Sequence, residues 1–103
     1  MQTNKIDSYI GFAVKSRKVI FGLEMLLRAR KPPFVVLYDE SLGANSLKNM
    51  MFYCDTNNVV MLKISANHLN ELLQRQNIKI LSIVDESLSK AIIENSSHEQ
   101  MTE

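Results

Sequence analysis

Apolar residues recur along this chain with two alternating periods. Ile6, Ile10, Ala13 and Val14 fall at i, i+4, i+7 and i+8, which predicts the inner face of a helix ending near Arg17. Val19 to Phe21 is a short β-rich run closed by Gly22, after which Leu23, Leu26 and Leu27 return to helical spacing until Pro32 and Pro33. Phe34 to Tyr38 reads as a strand buried on both faces, and Leu47, Met50, Met51 and Cys54 as a helical stripe broken by Asn57-Asn58. Val59 to Ile64 is a third strand. Ser65 is the expected N-cap of a helix carrying Leu69, Leu72 and Leu73. Ile78 to Val84 is a fourth strand, and Leu88, Ala91 and Ile92 mark a last helix. Apolar strands of this kind need covering on both sides, so the expected architecture is an α/β fold, a three-layer α/β/α sandwich around a central four-stranded mixed sheet. Residues 1–94 form its single domain, and the polar residues 95–103 are expected to be a flexible tail.

Composition narrows the function classes. One domain of 103 residues with 46% hydrophobic and 22% charged residues suits a folded module, neither disordered nor multidomain. No apolar run approaches the roughly 20 residues needed to cross a bilayer, and Lys5 and Asp7 share the segment where a secretion signal would be purely basic. A cytoplasmic protein without a membrane partner is therefore expected. A single cysteine, Cys54, excludes an internal disulfide and, even with His68 and His98, a structural zinc site. The net charge of +1 conceals an asymmetry, +5 over residues 1–31 against -4 over the remainder. That imbalance suggests a polyanion-facing side.

Candidate chemistry follows from these positions. Asp39-Glu40-Ser41-Leu42 returns as Asp85-Glu86-Ser87-Leu88 after two of the strands. Carboxylates at strand ends could hold magnesium, but Asp39, Asp85 and Ser87 are also natural caps of turns and helix starts, and capping is the reading the residues favour. No phosphate loop, nucleophile elbow or metalloprotease motif is present, so no enzyme activity and no cofactor are expected. His68, between Asn67 and Asn70, is expected to be solvated. The basic constellation is stronger. Lys15, Arg17 and Lys18 end the first helix, Gly22 opens the second, Arg28, Arg30 and Lys31 follow, and together these are expected to form one cationic dock at a helix N-terminus. Stacking aromatics are missing from it, so folded RNA fits better than single strands.

The string Ile10-Gly11-Phe12-Ala13-Val14-Lys15-Ser16-Arg17-Lys18-Val19-Ile20-Phe21-Gly22-Leu23-Glu24 resembles the opening of the kink-turn RNA-binding ribosomal proteins of L-seven-Ae and L-thirty-e type, in particular their small bacterial YlxQ-like branch. The acid-terminated strand Phe34 to Glu40, the helix from Asn45 through Cys54, and Ile80 to Asp85 match in order, so the similarity spans about residues 8–93. The resemblance implies a non-catalytic monomer that binds kink-turn or rRNA-like structured RNA, with ribosome-associated proteins as further partners. It places the RNA against Gly22, Glu24 and Arg28 and against the segment Gln74 through Ile78, with Arg75 as the base and Ile78 as an apolar finger. Leu23, Glu24 and Met25 depart from the small polar, Asn or Lys, and Glu or Gln residues that the family places after its glycine. A protein-interaction module on the same fold, its RNA site lost, is the alternative.

Overall fold

The computed structural model describes residues 5–101. Its elements run α1 (Lys5–Lys15), β1 (Val19–Phe21), α2 (Leu23–Arg28), β2 (Val35–Asp39), α3 (Ala44–Asn57), β3 (Val60–Ile64), α4 (His68–Leu73), β4 (Ile80–Ile83) and α5 (Glu86–Met101). The strands form one sheet in the order β1-β4-β2-β3. β4 is antiparallel to both β1 and β2, whereas β2 and β3 are parallel across the α3 crossover.

Side chains of a strand alternate between faces, so the central strand β2 feeds two cores at once. Val35 and Leu37 join Leu81 and Ile83 beneath Ile6, Ile10 and Ala13 of α1, Leu69 of α4 and Ile92 of α5. Val36 and Ile80 point the other way, against Leu26 of α2 and Met50 and Cys54 of α3. Helices on both faces make this the three-layer α/β/α sandwich, and each fully buried aliphatic side chain contributes about 1.5–3 kcal/mol.

Several local expectations change. α2 stops at Arg28, where Ala29 turns extended (φ -64°, ψ 139°), so the chain leaves the helix before Pro32 is reached. Met51 is half exposed rather than core, because the stripe of α3 narrows to Met50 and Cys54. The N-cap of α4 is Asn67, not Ser65, and its own side chain makes no cap bond. α5 continues through Met101, so the expected tail at 95–103 lies largely within a helix, its last two residues falling outside the described range. Leu88 and Ile92 anchor α5 on the first core, and Asn95 donates its amide to the Ala91 carbonyl at 2.7 Å, bonding that suits helix as well as tail.

Candidate nucleic-acid interface

Because β1, β2 and β3 all run opposite to β4, the sheet has two distinct ends. The register pairs Phe21 with Leu81 and Tyr38 with Ile80 at one end, and Val19 and Val35 with Ile83 at the other. The three residues of β1 carry the chain about 10 Å between the ends. The six-residue α2 brings it back about 9 Å.

This geometry splits the expected dock. Gly22, Glu24, Arg75 and Ile78 sit at the first end, hereafter the tip, where the Gly22 N–H donates to the Ile80 carbonyl at 2.9 Å. Lys15, Arg17 and Lys18 lie at the opposite end, tied there by the Val84 N–H on the Lys18 carbonyl at 2.9 Å, and Arg30 and Lys31 return to it ahead of β2. Arg28 also belongs to that end by its place in α2, but its guanidinium reaches back 3.2 Å to Glu24. One basic ring around residue 22 is therefore not formed, because a strand separates residues that are only four apart in sequence.

At the tip two segments meet. Gly22 has φ 84° and ψ 165°, a conformation costly for any residue with a Cβ, and lets β1 turn directly into α2. The guanidinium of Arg75, from the α4–β4 loop, lies 4.6 Å over the ring of Phe21, the residue before that glycine. The loop itself is tightly held: Asn70 accepts the Ile78 N–H on its side-chain oxygen at 2.8 Å, and its carbonyl takes the Arg75 N–H at 3.0 Å. Asn67, Gln74 and Asn77 adopt left-handed φ values of 66°, 54° and 64°, which asparagine tolerates better than most residues. A polar cavity of about 500 Å³ opens here, lined by Asn67, Asn70, Glu71, Arg75, Gln76, Asn77 and Lys79.

Ile78 is not the expected finger. It is only 7% exposed and belongs to the first core, because the bond from its N–H to Asn70 turns its side chain under the sheet. Asn67, Asn70 and Lys79, which lie outside the expected segment Gln74 through Ile78, line the same cavity. For the asparagines the sequence signal is their recurrence in a short polar stretch, since asparagine tolerates the left-handed conformation that Asn67 and Asn77 adopt.

Asp39 supports the tip from below. Fully buried, it accepts the Ser41 N–H at 2.8 Å, the Ser41 hydroxyl, and the Asn67 N–H at 2.7 Å. Burial pushes its pKa up, but the bonds from Ser41 and Asn67 and the charge of Lys79 outweigh that and hold the carboxyl below its usual value. Asp85 caps α5 by accepting the Leu88 N–H at 2.9 Å, as expected, while Ser87 is exposed within the first turn. Since Asp39 and Asp85 follow strands that run in opposite directions, they lie at opposite ends of the sheet and cannot share a magnesium ion. Among the described residues no group of three or more His, Cys, Asp and Glu side chains could hold a metal. His68, expected to be free in solvent, instead contacts Asp7 at 2.7 Å and ties α4 to α1. Cys54 is core, its thiol pushed by burial up to about 11.

The tip thus offers planar and charged donors on a rigid frame. Among the described residues no helix is long and apolar enough to cross a membrane. No family model matches the sequence, and no curated protein matches it. In structure the chain is similar to a protein of unknown function from Bacillus halodurans, 15% identical, with 92% of this chain and 99% of that chain covered and a TM-score of 0.85. At that identity the likeness establishes a shared α/β fold and leaves the chemistry to be argued from the residues.

Proposed function

We propose that the protein is a non-catalytic RNA-binding module that recognises a sharply bent, kink-turn-like RNA at the tip. The carrying observation is the meeting of the β1–α2 junction with the α4–β4 loop, locked by Arg75 over Phe21. These are the two segments that the resemblance to kink-turn ribosomal proteins assigns to RNA. Arg75 and Lys79 supply phosphate contacts, and Glu24 and the Asn67 and Asn77 amides supply groups for base edges. Among the described residues Arg75 and Lys79 are the cations lining this cavity, so log K falls with log salt at a slope near -1.5 rather than the steeper value of a fully cationic dock.

The test is titration of a kink-turn RNA and a straight duplex of equal length with the full chain across salt. Tighter binding to the bent RNA, weakened at least fivefold by Arg75→Ala, is expected. Equal affinity for the two RNAs overturns the reading. A protein-docking module on the same fold is the second reading, favoured by one observation: an apolar groove of about 480 Å³ beside β3, lined by Met51, Phe52, Val59 and Met61, with Phe52 74% exposed. Tip variants leave partner capture unchanged if that groove is the working surface.

A further inference from the structure

The end of the sheet opposite the tip gathers cations that the tip does not use. There the Val84 N–H donates to the Lys18 carbonyl at 2.9 Å, and the Phe34 N–H donates to the Ile83 carbonyl at 2.9 Å. Lys18 and Phe34 thus flank the close of β4 from its two sides. Arg17 precedes Lys18 in a left-handed conformation (φ 59°) that turns α1 into β1, with Lys15 at the end of the helix. On the other flank Arg30 and Lys31 lead through Pro32 and Pro33 into Phe34.

Lys15, Arg17, Lys18, Arg30 and Lys31 are all exposed, and among the described residues none of them is in an ion pair. The acids of this end are already engaged. Asp85 caps α5, and Glu86 faces Lys90 at 3.8 Å.

Solvated helix ends would account for the cations alone, since bases suit helix C-termini. They do not account for the residues between the two basic flanks: Phe34 is 45% exposed and Val84 36% exposed. The two prolines restrict the backbone that delivers Phe34, so the ring is presented by a stiff segment whose Pro33 is itself buried.

We infer that this end is a second nucleic-acid surface, one that takes a single-stranded RNA segment, its phosphates among the five cations and one base stacked on Phe34. A duplex hides its base faces, whereas an unpaired base can lie on an aromatic ring inside a cationic groove. An acidic peptide would satisfy the cations and leave the ring without a planar partner. The inference goes beyond the tip reading and does not depend on it.

The experiment measures binding of a fluorescein-labelled ten-nucleotide uridine oligomer to the full chain by anisotropy across salt. Phe34→Leu is expected to weaken binding about 5- to 100-fold with an unchanged salt slope, the range that one base stack supplies. Lys18→Gln with Lys31→Gln is expected to reduce the slope by about 1.4. Because the chain has no tryptophan, Phe34→Trp adds a readout independent of stability, with its fluorescence quenched as the oligomer stacks.

The inference is overturned if the wild type fails to bind the oligomer at low salt, if Phe34→Leu binds as the wild type does, if Phe34→Trp is not quenched at saturation, or if a ten-residue polyglutamate peptide binds as tightly. Failure of the tip reading looks different. It leaves oligomer binding and its dependence on Phe34 intact while the bent and straight RNAs bind equally.

Discussion

Replacing Asp39 by asparagine removes a charge from a place where no water reaches it, with little change of shape. One carboxylate oxygen takes both donors of Ser41 and the other takes the Asn67 N–H. An asparagine can keep one of these sets, and its amide nitrogen must then face the remaining donor. Hydrogen bonds to a charged acceptor contribute about 1.5–3 kcal/mol each, and a buried donor left unpaired costs about 1–3 kcal/mol. The expected loss at neutral pH is therefore about 2–4 kcal/mol, a fall in Tm of about 10–30 °C for a domain of this size. Since the folded-state pKa lies below the unfolded one, the carboxylate contributes stability in full above about pH 4, the unfolded value, and loses it as pH falls through the lower folded value. Urea unfolding of wild type and Asp39→Asn at pH 7 and again at pH 2.5 reads both effects. The difference should be large at pH 7 and shrink as pH falls below about 4, as the folded wild type begins to take up the proton that its lowered pKa resists. A difference under about 0.5 kcal/mol at pH 7, or one that persists undiminished in acid, would refute this account of how the tip is supported.

Other consequences are as specific. Ser82 is fully buried on the face it shares with Ile80, and its hydroxyl has no partner, so Ser82→Ala is expected to raise stability by about 1 kcal/mol in urea melts, and a loss would show the hydroxyl to be satisfied. Gly22→Ala meets open space but an unfavourable φ of 84°, so calorimetry should show a loss of about 1–3 kcal/mol, and an unchanged Tm would mean the turn relaxes freely. The raised pKa of Cys54, about 11, leaves almost no thiolate at pH 8, so a disulfide reagent should label it only as fast as the protein opens, with full reactivity in urea and none of that acceleration if the thiol were already accessible.

The order of all nine elements was legible because each core face repeats its apolar residues with the right period, as Ile6, Ile10 and Ala13 do in α1 and Met50 and Cys54 in α3. The capping role of Asp39 and Asp85 was legible for a similar reason, since acids at strand ends find free amides close by in sequence. Topology was not. Lys18 and Gly22 are near neighbours in the chain, yet an intervening strand puts them at opposite ends, and only the pairing of β1 with β4 shows it. The His68 to Asp7 contact spans 61 positions and has no local signature. The finger role of Ile78 came from the family resemblance alone, whereas its side chain packs in the first core and its backbone N–H is bound to Asn70. Phe34 was read as one more residue of a buried strand, and its exposure depends on β4 ending beside it.

The most direct test of RNA recognition at the tip is amide chemical-shift mapping on isotope-labelled protein as a kink-turn RNA is added. The account predicts the largest changes at Gly22 through Met25 and Gln74 through Lys79, with little movement along α3 and β3. Changes centred on Met51, Phe52 and Met61, or no changes at all at saturating RNA, would contradict it.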